Sequence, residues 1–292
     1  MSLHKRADEG DLDGIRAALD DGADIQARNV VGYAPLHLAI AKGHEEAVAF
    51  LLERGADANA ADAAGQTALM WACHDGYPKI VSTLLAAGAD VSAVDRRSSS
   101  TALHFAAVHG RADCAALLLD AGADVSACEA DGMTALLWAA EYGHDALIEL
   151  LLARGADANG TDSTGKSALH LAAEYGQAGA TGALIAAGAN VNAAEPGTEL
   201  RPLHWAAEYG HAPVVAALLE AGAEAGAVDV SGRTALHWVA VGESGDGNVA
   251  TALLDAGCPL DLQDSDSRTA LDLATEARHA RLAQILRERA SA

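Results

Sequence analysis

The chain alternates short apolar stripes of helical period with tight polar turns. Leu36, Ala39 and Ile40 fall at i, i+3 and i+4, the spacing that lines one face of a helix. A second stripe follows at Val48, Leu51 and Leu52, and Ile148, Leu151 and Leu152 repeat it. Gly55 and Gly155 stand just beyond these second stripes, where a left-handed residue ends a helix. An Asp-x-x-Gly turn comes next, at Asp62 to Gly65, Asp162 to Gly165 and Asp229 to Gly232, and reads as the tip of a short β-hairpin finger. The predicted unit is helix, turn, helix, finger.

That unit recurs along the chain. The segments Ala34-Pro-Leu-His-Leu-Ala, Thr67-Ala-Leu-Met-Trp-Ala, Thr101-Ala-Leu-His-Phe-Ala, Thr134-Ala-Leu-Leu-Trp-Ala, Ser167-Ala-Leu-His-Leu-Ala, Arg201-Pro-Leu-His-Trp-Ala, Thr234-Ala-Leu-His-Trp-Val and Thr269-Ala-Leu-Asp-Leu-Ala begin 33 to 35 residues apart. Gly-Ala-Asp or a close variant keeps the same step at Gly22, Gly55, Gly88, Gly122, Gly155, Gly188, Gly222 and Gly257. A fixed period of this length is the mark of a solenoid, in which stacking buries what one repeat cannot. Where a Thr or Ser leads the copy it is expected to cap the first helix, and Pro or Ala stands in the first turn.

These residues closely resemble the ankyrin repeat, with its Thr-Pro-Leu-His-x-Ala-Ala, Gly-His, Leu-Leu and Gly-Ala-Asp pattern, and the resemblance covers essentially the whole chain. It implies an all-α solenoid of stacked helix-turn-helix repeats with short β-hairpin fingers, and a concave groove where partners bind. We read residues 1–292 as a single domain of about nine repeats: a capping repeat at 1–33, inner repeats over 34–266 and a capping repeat at 267–292. Acidic Asp8, Glu9, Asp11 and Asp13 suit the first cap, and the Arg and Glu of Glu276 to Arg289 suit the last. Fingers three (Arg96 to Ser100) and six (Pro196 to Leu200) carry one extra residue each and lack the ordinary turn. Gly242 to Asn248 adds two residues between the helices of the eighth unit; it resembles a phosphate loop only superficially, since no strand precedes it and no P-loop Lys follows.

Composition narrows the function. Hydrophobic residues make up 51% of the chain and aromatics only 4%, which suits close helix packing and argues against disorder or a β-rich fold. A formal charge of −22 repels phosphate backbones and anionic lipid, so nucleic acid and membrane are not expected as partners, and basic proteins, peptides or amines are. Cys73, Cys114, Cys128 and Cys258 form no CxxC pair and are expected as small buried hydrophobes. The chain begins without an apolar leader and contains no membrane-length apolar run, which suggests a soluble, reducing, cytoplasmic setting.

Twelve histidines raise the question of metal or catalytic chemistry. His4, His37, His104, His170, His204 and His237 occupy the Leu-His slot, and His44, His144 and His211 the Gly-His turn, for which the resemblance implies structural roles. His74, His109 and His279 remain, and His74 and His109 share corresponding faces of neighbouring repeats with Asp75 adjacent. We expect no metal and no cofactor there, and no catalysis, since the sequence has no HExxH pair, nucleophile elbow or Cys cluster.

The residues after the Leu-His slot form a second stripe: Leu38, Ala41, Lys42; Trp71, His74, Asp75; Phe105, Val108, His109; Trp138, Glu141, Tyr142; Leu171, Glu174, Tyr175; and Trp205, Glu208, Tyr209. Stacked repeats would set Glu141, Glu174 and Glu208 at steps of about 10 Å, a carboxylate ladder flanked by Tyr and Trp that suits cationic side chains. Met133, Lys166, Arg201 and Arg233 are expected to be exposed near finger tips, with Arg96 and Arg97 as a basic spot. The function expected is a monomeric, non-catalytic interaction module that binds another protein or a basic peptide. The alternative is a small-molecule binder whose rings between Trp71 and Trp205 enclose an amine or sugar-sized ligand, and a catalytic solenoid ranks last.

Overall fold

The computed structural model describes residues 1–291. Among them eighteen α-helices run as nine consecutive pairs, grouped into two compact units. The first unit comprises Met1–Ala135 and Ala153–Ala156. It holds α1 (Leu3–Glu9), α2 (Leu12–Asp20), α3 (Pro35–Ala41), α4 (Glu45–Glu53), α5 (Ala68–Asp75), α6 (Pro78–Ala86), α7 (Ala102–Val108) and α8 (Ala112–Asp120). The second comprises Leu136–Leu152 and Asp157–Ala292. It contains α9 (Ala135–Tyr142) and α10 (Asp145–Ala153) apart from their outermost residues Ala135 and Ala153, then α11 (Ala168–Glu174), α12 (Ala178–Ala186), α13 (Pro202–Glu208), α14 (Ala212–Glu220), α15 (Ala235–Val241), α16 (Gly247–Asp255), α17 (Ala270–Glu276) and α18 (Ala280–Ala290).

Most of these helices are seven to nine residues long, too short to persist alone, so packing holds them. In the first unit α1, α3, α5 and α7 pack in series, and α2, α4, α6 and α8 form a second row; α11, α13, α15 and α17, with α12, α14, α16 and α18, do the same in the second unit. Alanine makes the close approach possible: Ala39, Ala72, Ala106, Ala172 and Ala206 are all fully buried. Leu36, Ile40, Val48, Leu51, Ile148 and Leu151 fill the core as their spacing predicts, while Leu52 and Leu152 are only half-buried. Gly55 (φ 92°) ends α4 in the left-handed region, and the next amide, of Ala56, reaches back to the Leu51 carbonyl at 2.9 Å.

The histidine slot explains a departure from the capping expectation. The backbone N–H groups of Thr101, Ser167, Arg201 and Thr234 donate to Nδ1 of the His three residues on, at 3.1, 3.2, 3.0 and 3.1 Å. A backbone N–H can only donate, so Nδ1 is bare and the proton sits on Nε2. From there it is given to the carbonyls of Ala127, Leu200, Ala227 and Leu262 at 3.1, 3.3, 3.1 and 3.1 Å. The hydroxyls of Thr101, Ser167 and Thr234 also turn to Nδ1 rather than to the helix. Thr67 and Thr269 do cap, accepting from Met70 and Asp272, in repeats where the slot holds no His. Burial pushes His37, His104 and His237 below the usual imidazole range, and His170 and His204 down to about 4.

The second His position ties three of the turns to the repeat before them. His44, His211 and His279 give Nε2 to the carbonyls of Asp8, Glu174 and Gly242 at 3.0, 2.9 and 2.9 Å. His279, set apart in the sequence, is therefore a structural residue like the others.

The fingers are turns rather than extended hairpins. Single antiparallel bridges close four of them, at Ala61 and Thr67, Cys128 and Thr134, Thr161 and Ser167, and Val228 and Thr234, and no named strand occurs among the described residues. Asp62 Oδ1 accepts from Ala64 and Gln66 and fixes its turn. In fingers three and six Ser99 and Glu199 take φ of 64° and 57°, the left-handed conformation that Gly65 supplies elsewhere. Within each unit neighbouring fingers are joined by backbone bonds, such as Arg96 N–H to Ala64 O and Val230 N–H to Thr198 O, both 3.0 Å. Cys73, Cys114 and Cys258 are buried but Cys128 is exposed, because it lies at a finger rather than in a helix pair. No helix among the described residues is long and apolar enough to cross a membrane.

Candidate functional site

The second unit carries an acidic and aromatic face at the ends of its first helices. Glu141, Glu174 and Glu208 are half-buried near the C-terminal ends of α9, α11 and α13. The tyrosine after each, Tyr142, Tyr175 and Tyr209, is about equally exposed at 47%, 50% and 49%. Tyr142 stacks on Trp138 with centroids 6.0 Å apart, and Tyr209 on Trp205 at 6.3 Å. Gln177 donates to the Glu141 carbonyl at 2.9 Å and holds the neighbouring turn against α9.

One cation already sits in this face. Lys166 leaves the finger before α11 and places Nζ 2.5 Å from Glu174 Oε2 and 3.8 Å from the centroid of the Trp205 ring. Its side chain is only 19% exposed, which corrects the expectation of a free finger lysine. Met133 is likewise buried, while Arg201 and Arg233 are half-buried and paired with Glu224 and Asp264 at 2.7 and 3.3 Å. The charge balance remains acidic. Burial, and then the charge of Glu174, push the carboxyls of Glu141 and Glu208 above the usual range, and Lys166 only partly opposes this. Burial and the same carboxylates also raise the Tyr175 and Tyr209 hydroxyls.

The tryptophans differ at the indole nitrogen. Trp71, Trp205 and Trp238 donate to Asp62, Glu195 and Asp229 at 3.2, 2.6 and 3.2 Å. The Trp138 indole N–H is buried without an acceptor; at the corresponding position of its repeat stands Glu129, whose carboxylate is engaged by the Ser100 hydroxyl. Leu171 fills the aromatic slot between Trp138 and Trp205 and is buried, so the face carries two rings rather than a continuous row.

The first unit holds the other expected residues. Tyr33, Gln66, Met70, Trp71, His74, Asp75 and Phe105 line a cleft of about 290 Å³. Tyr33 meets Trp71 edge-on at 4.9 Å. His74 and His109 touch at 4.2 Å between centroids, and His74 Nδ1 bonds Asp75 Oδ1 at 2.7 Å. No group of three or more metal-ligating residues occurs among the described residues. The residues grouped by spacing thus lie near one another within each unit. Lys166, Glu195 and Tyr33 entered these sites through loops, and i, i+3, i+4 counting along one helix cannot find them.

Repeated helix pairs, left-handed glycines, the imidazole slot and linked fingers together define a repeat solenoid. A family model described as ankyrin repeats (3 copies) matches residues 3–95, 62–127, 103–195, 143–229 and 203–292, essentially the whole chain. The protein belongs to the ankyrin-repeat family, whose repeats generally mediate protein–protein interaction. No curated protein matches the sequence.

Proposed function

We propose that the chain is a non-catalytic, monomeric interaction module whose acidic, aromatic face, formed by Trp138, Glu141, Tyr142, Glu174, Tyr175, Trp205, Glu208 and Tyr209, holds a basic peptide or the basic surface of a partner protein. The observation that carries this reading is the charge imbalance: three half-buried carboxylates share one ammonium, and burial, with the charge of Glu174 added, raises the carboxyls of Glu141 and Glu208. An incoming Lys or Arg relieves that repulsion and gains ring contact. The absence of nucleic-acid and lipid partners, a cytoplasmic setting and the single-domain organisation of residues 1–292 belong to the same proposal; one calorimetric transition for the whole chain tests the last.

The test of the face is a titration with lysine- and arginine-rich peptides, comparing the native chain with a Glu141→Lys, Glu208→Lys variant at low and high salt. Binding that weakens with salt and is lost in the variant supports the reading. Undiminished binding by the variant sinks it. The cleft beside Trp71 favours a second reading, a small aromatic or amine ligand in the first unit, because its volume lies near the lower end for ligand pockets, roughly 300 Å³. Salt-independent binding abolished by Trp71→Ala would support that instead.

A further inference from the structure

The cation on the Trp205 ring is supplied by the chain itself, and this bears on how any outside cation enters. Lys166 reaches its position on a flexible four-carbon stem from a turn fixed by Asp162, which accepts from the backbone N–H groups of Thr164 and Lys166 at 2.8 and 2.9 Å. The turn therefore keeps its shape whether or not the ammonium is docked. The docked ammonium has one carboxylate oxygen at 2.5 Å and one ring face at 3.8 Å. Those are the contacts a protein uses to bind a foreign ammonium.

We propose that Glu174 and Trp205 form an alkylammonium-recognition site occupied in cis by Lys166, a tethered competitor that an incoming lysine side chain displaces. The proposal rests on the reading of this face as an acceptor of basic segments. Displacement is favoured by the neighbours of Glu174. Glu174 acts electrostatically on Glu141 and Glu208, and Lys166 acts on both, yet among the described residues the ammonium of Lys166 is paired with Glu174 and not with either of them. When a foreign lysine takes Glu174 and the ring, Lys166 moves along the acidic row instead of into bulk water, and the row then holds two cations for three carboxylates. The Trp205 indole N–H, bonded to Glu195 at 2.6 Å, fixes the ring whichever cation covers it.

The experiment is titration of n-butylammonium into the native chain and into Lys166→Ala, following the Trp205 indole N–H resonance by NMR, with Lys166→Gln in reserve should the alanine variant not fold. Removing a group that competes at the high effective concentration of a tether should make binding about tenfold tighter or more. The same gain should vanish when Glu174→Gln is added. Equal affinity for native and Lys166→Ala chains, or no response in either, overturns the proposal. The two readings fail separately. A basic peptide bound through Glu141 and Glu208 with an affinity that Lys166→Ala leaves unchanged removes the tethered competitor and keeps the acidic face. Butylammonium bound by Lys166→Ala, with no peptide bound by any variant, supports the ammonium site and removes the peptide reading.

Discussion

Acidification to pH 4.5 should destabilise the second unit through two buried imidazoles. His170 and His204 are buried, accept a backbone N–H at Nδ1 and are held down to about 4, against an ordinary value of 6.5. Protonation at Nδ1 would turn each acceptor into a donor facing a donor. Because the folded value lies below the unfolded one, the unfolded chain binds more protons between these values. The stabilisation is complete above about pH 6.5 and is lost as the pH falls toward 4. At pH 4.5 each site should have lost about 2.5 kcal/mol, so the two together about 5 kcal/mol. The repeat supplies its own control: Met70 occupies the same slot and accepts the Thr67 N–H through Sδ at 3.3 Å. A His170→Met, His204→Met chain keeps the acceptor and cannot titrate, and should give up about 1 kcal/mol per site at pH 7 for the lost Nε2 bond. Urea unfolding of both chains at pH 7 and 4.5 measures the difference, and pH effects from Glu141 and Glu208, common to both chains, cancel. Equal losses of stability in the two chains would refute the assignment of bare Nδ1 atoms.

Two further outcomes follow from geometry and charge. Gly165 and Gly188 both have positive φ, 92° and 86°, but a Cβ at Gly165 would stand 2.2 Å from Pro196 Cδ whereas one at Gly188 meets nothing. Gly188→Ala should therefore cost about 1 kcal/mol and Gly165→Ala about 3 kcal/mol in thermal or urea unfolding; equal costs would mean that the fingers yield freely. Basic-peptide binding should also weaken on acidification at a pH above the ordinary carboxylate range, since the carboxyls of Glu141 and Glu208 are raised and protonation removes the attraction. A pH profile with an ordinary carboxylate midpoint would show that these two side chains do not contact the ligand.

The solenoid was legible because its determinants are local and repeated. Leu36, Ala39, Ile40 and the glycine after each second helix act within one repeat, and the period multiplies the signal. The slot histidines were legible as structural, but their tautomer needs the position of the carbonyl more than twenty residues on, such as Leu200 for His170. The fingers are reduced to single bridges where short hairpins were expected: Asp62 fixes its turn through its side chain. Lys166 shows the main limit. Nothing in its spacing says that a finger residue folds back over a ring thirty-nine positions later, and only the structure brings it to Trp205 and Glu174. Buried Leu171, aligned in sequence with two half-exposed tryptophans, shows that equal register does not ensure equal exposure.

The central claim is that the acidic face of the second unit receives cationic side chains, and the four indole N–H resonances report on it directly. Trp138 and Trp205 lie on that face, Trp71 lies in the first unit, and Trp238 is tied to Asp229 with Arg233 over its ring. On titration with a lysine-rich peptide at low salt, the account predicts that Trp205 and Trp138 shift saturably while Trp71 stays in place. A saturable shift of Trp71 alone, or peptide binding that moves neither Trp205 nor Trp138, would contradict it.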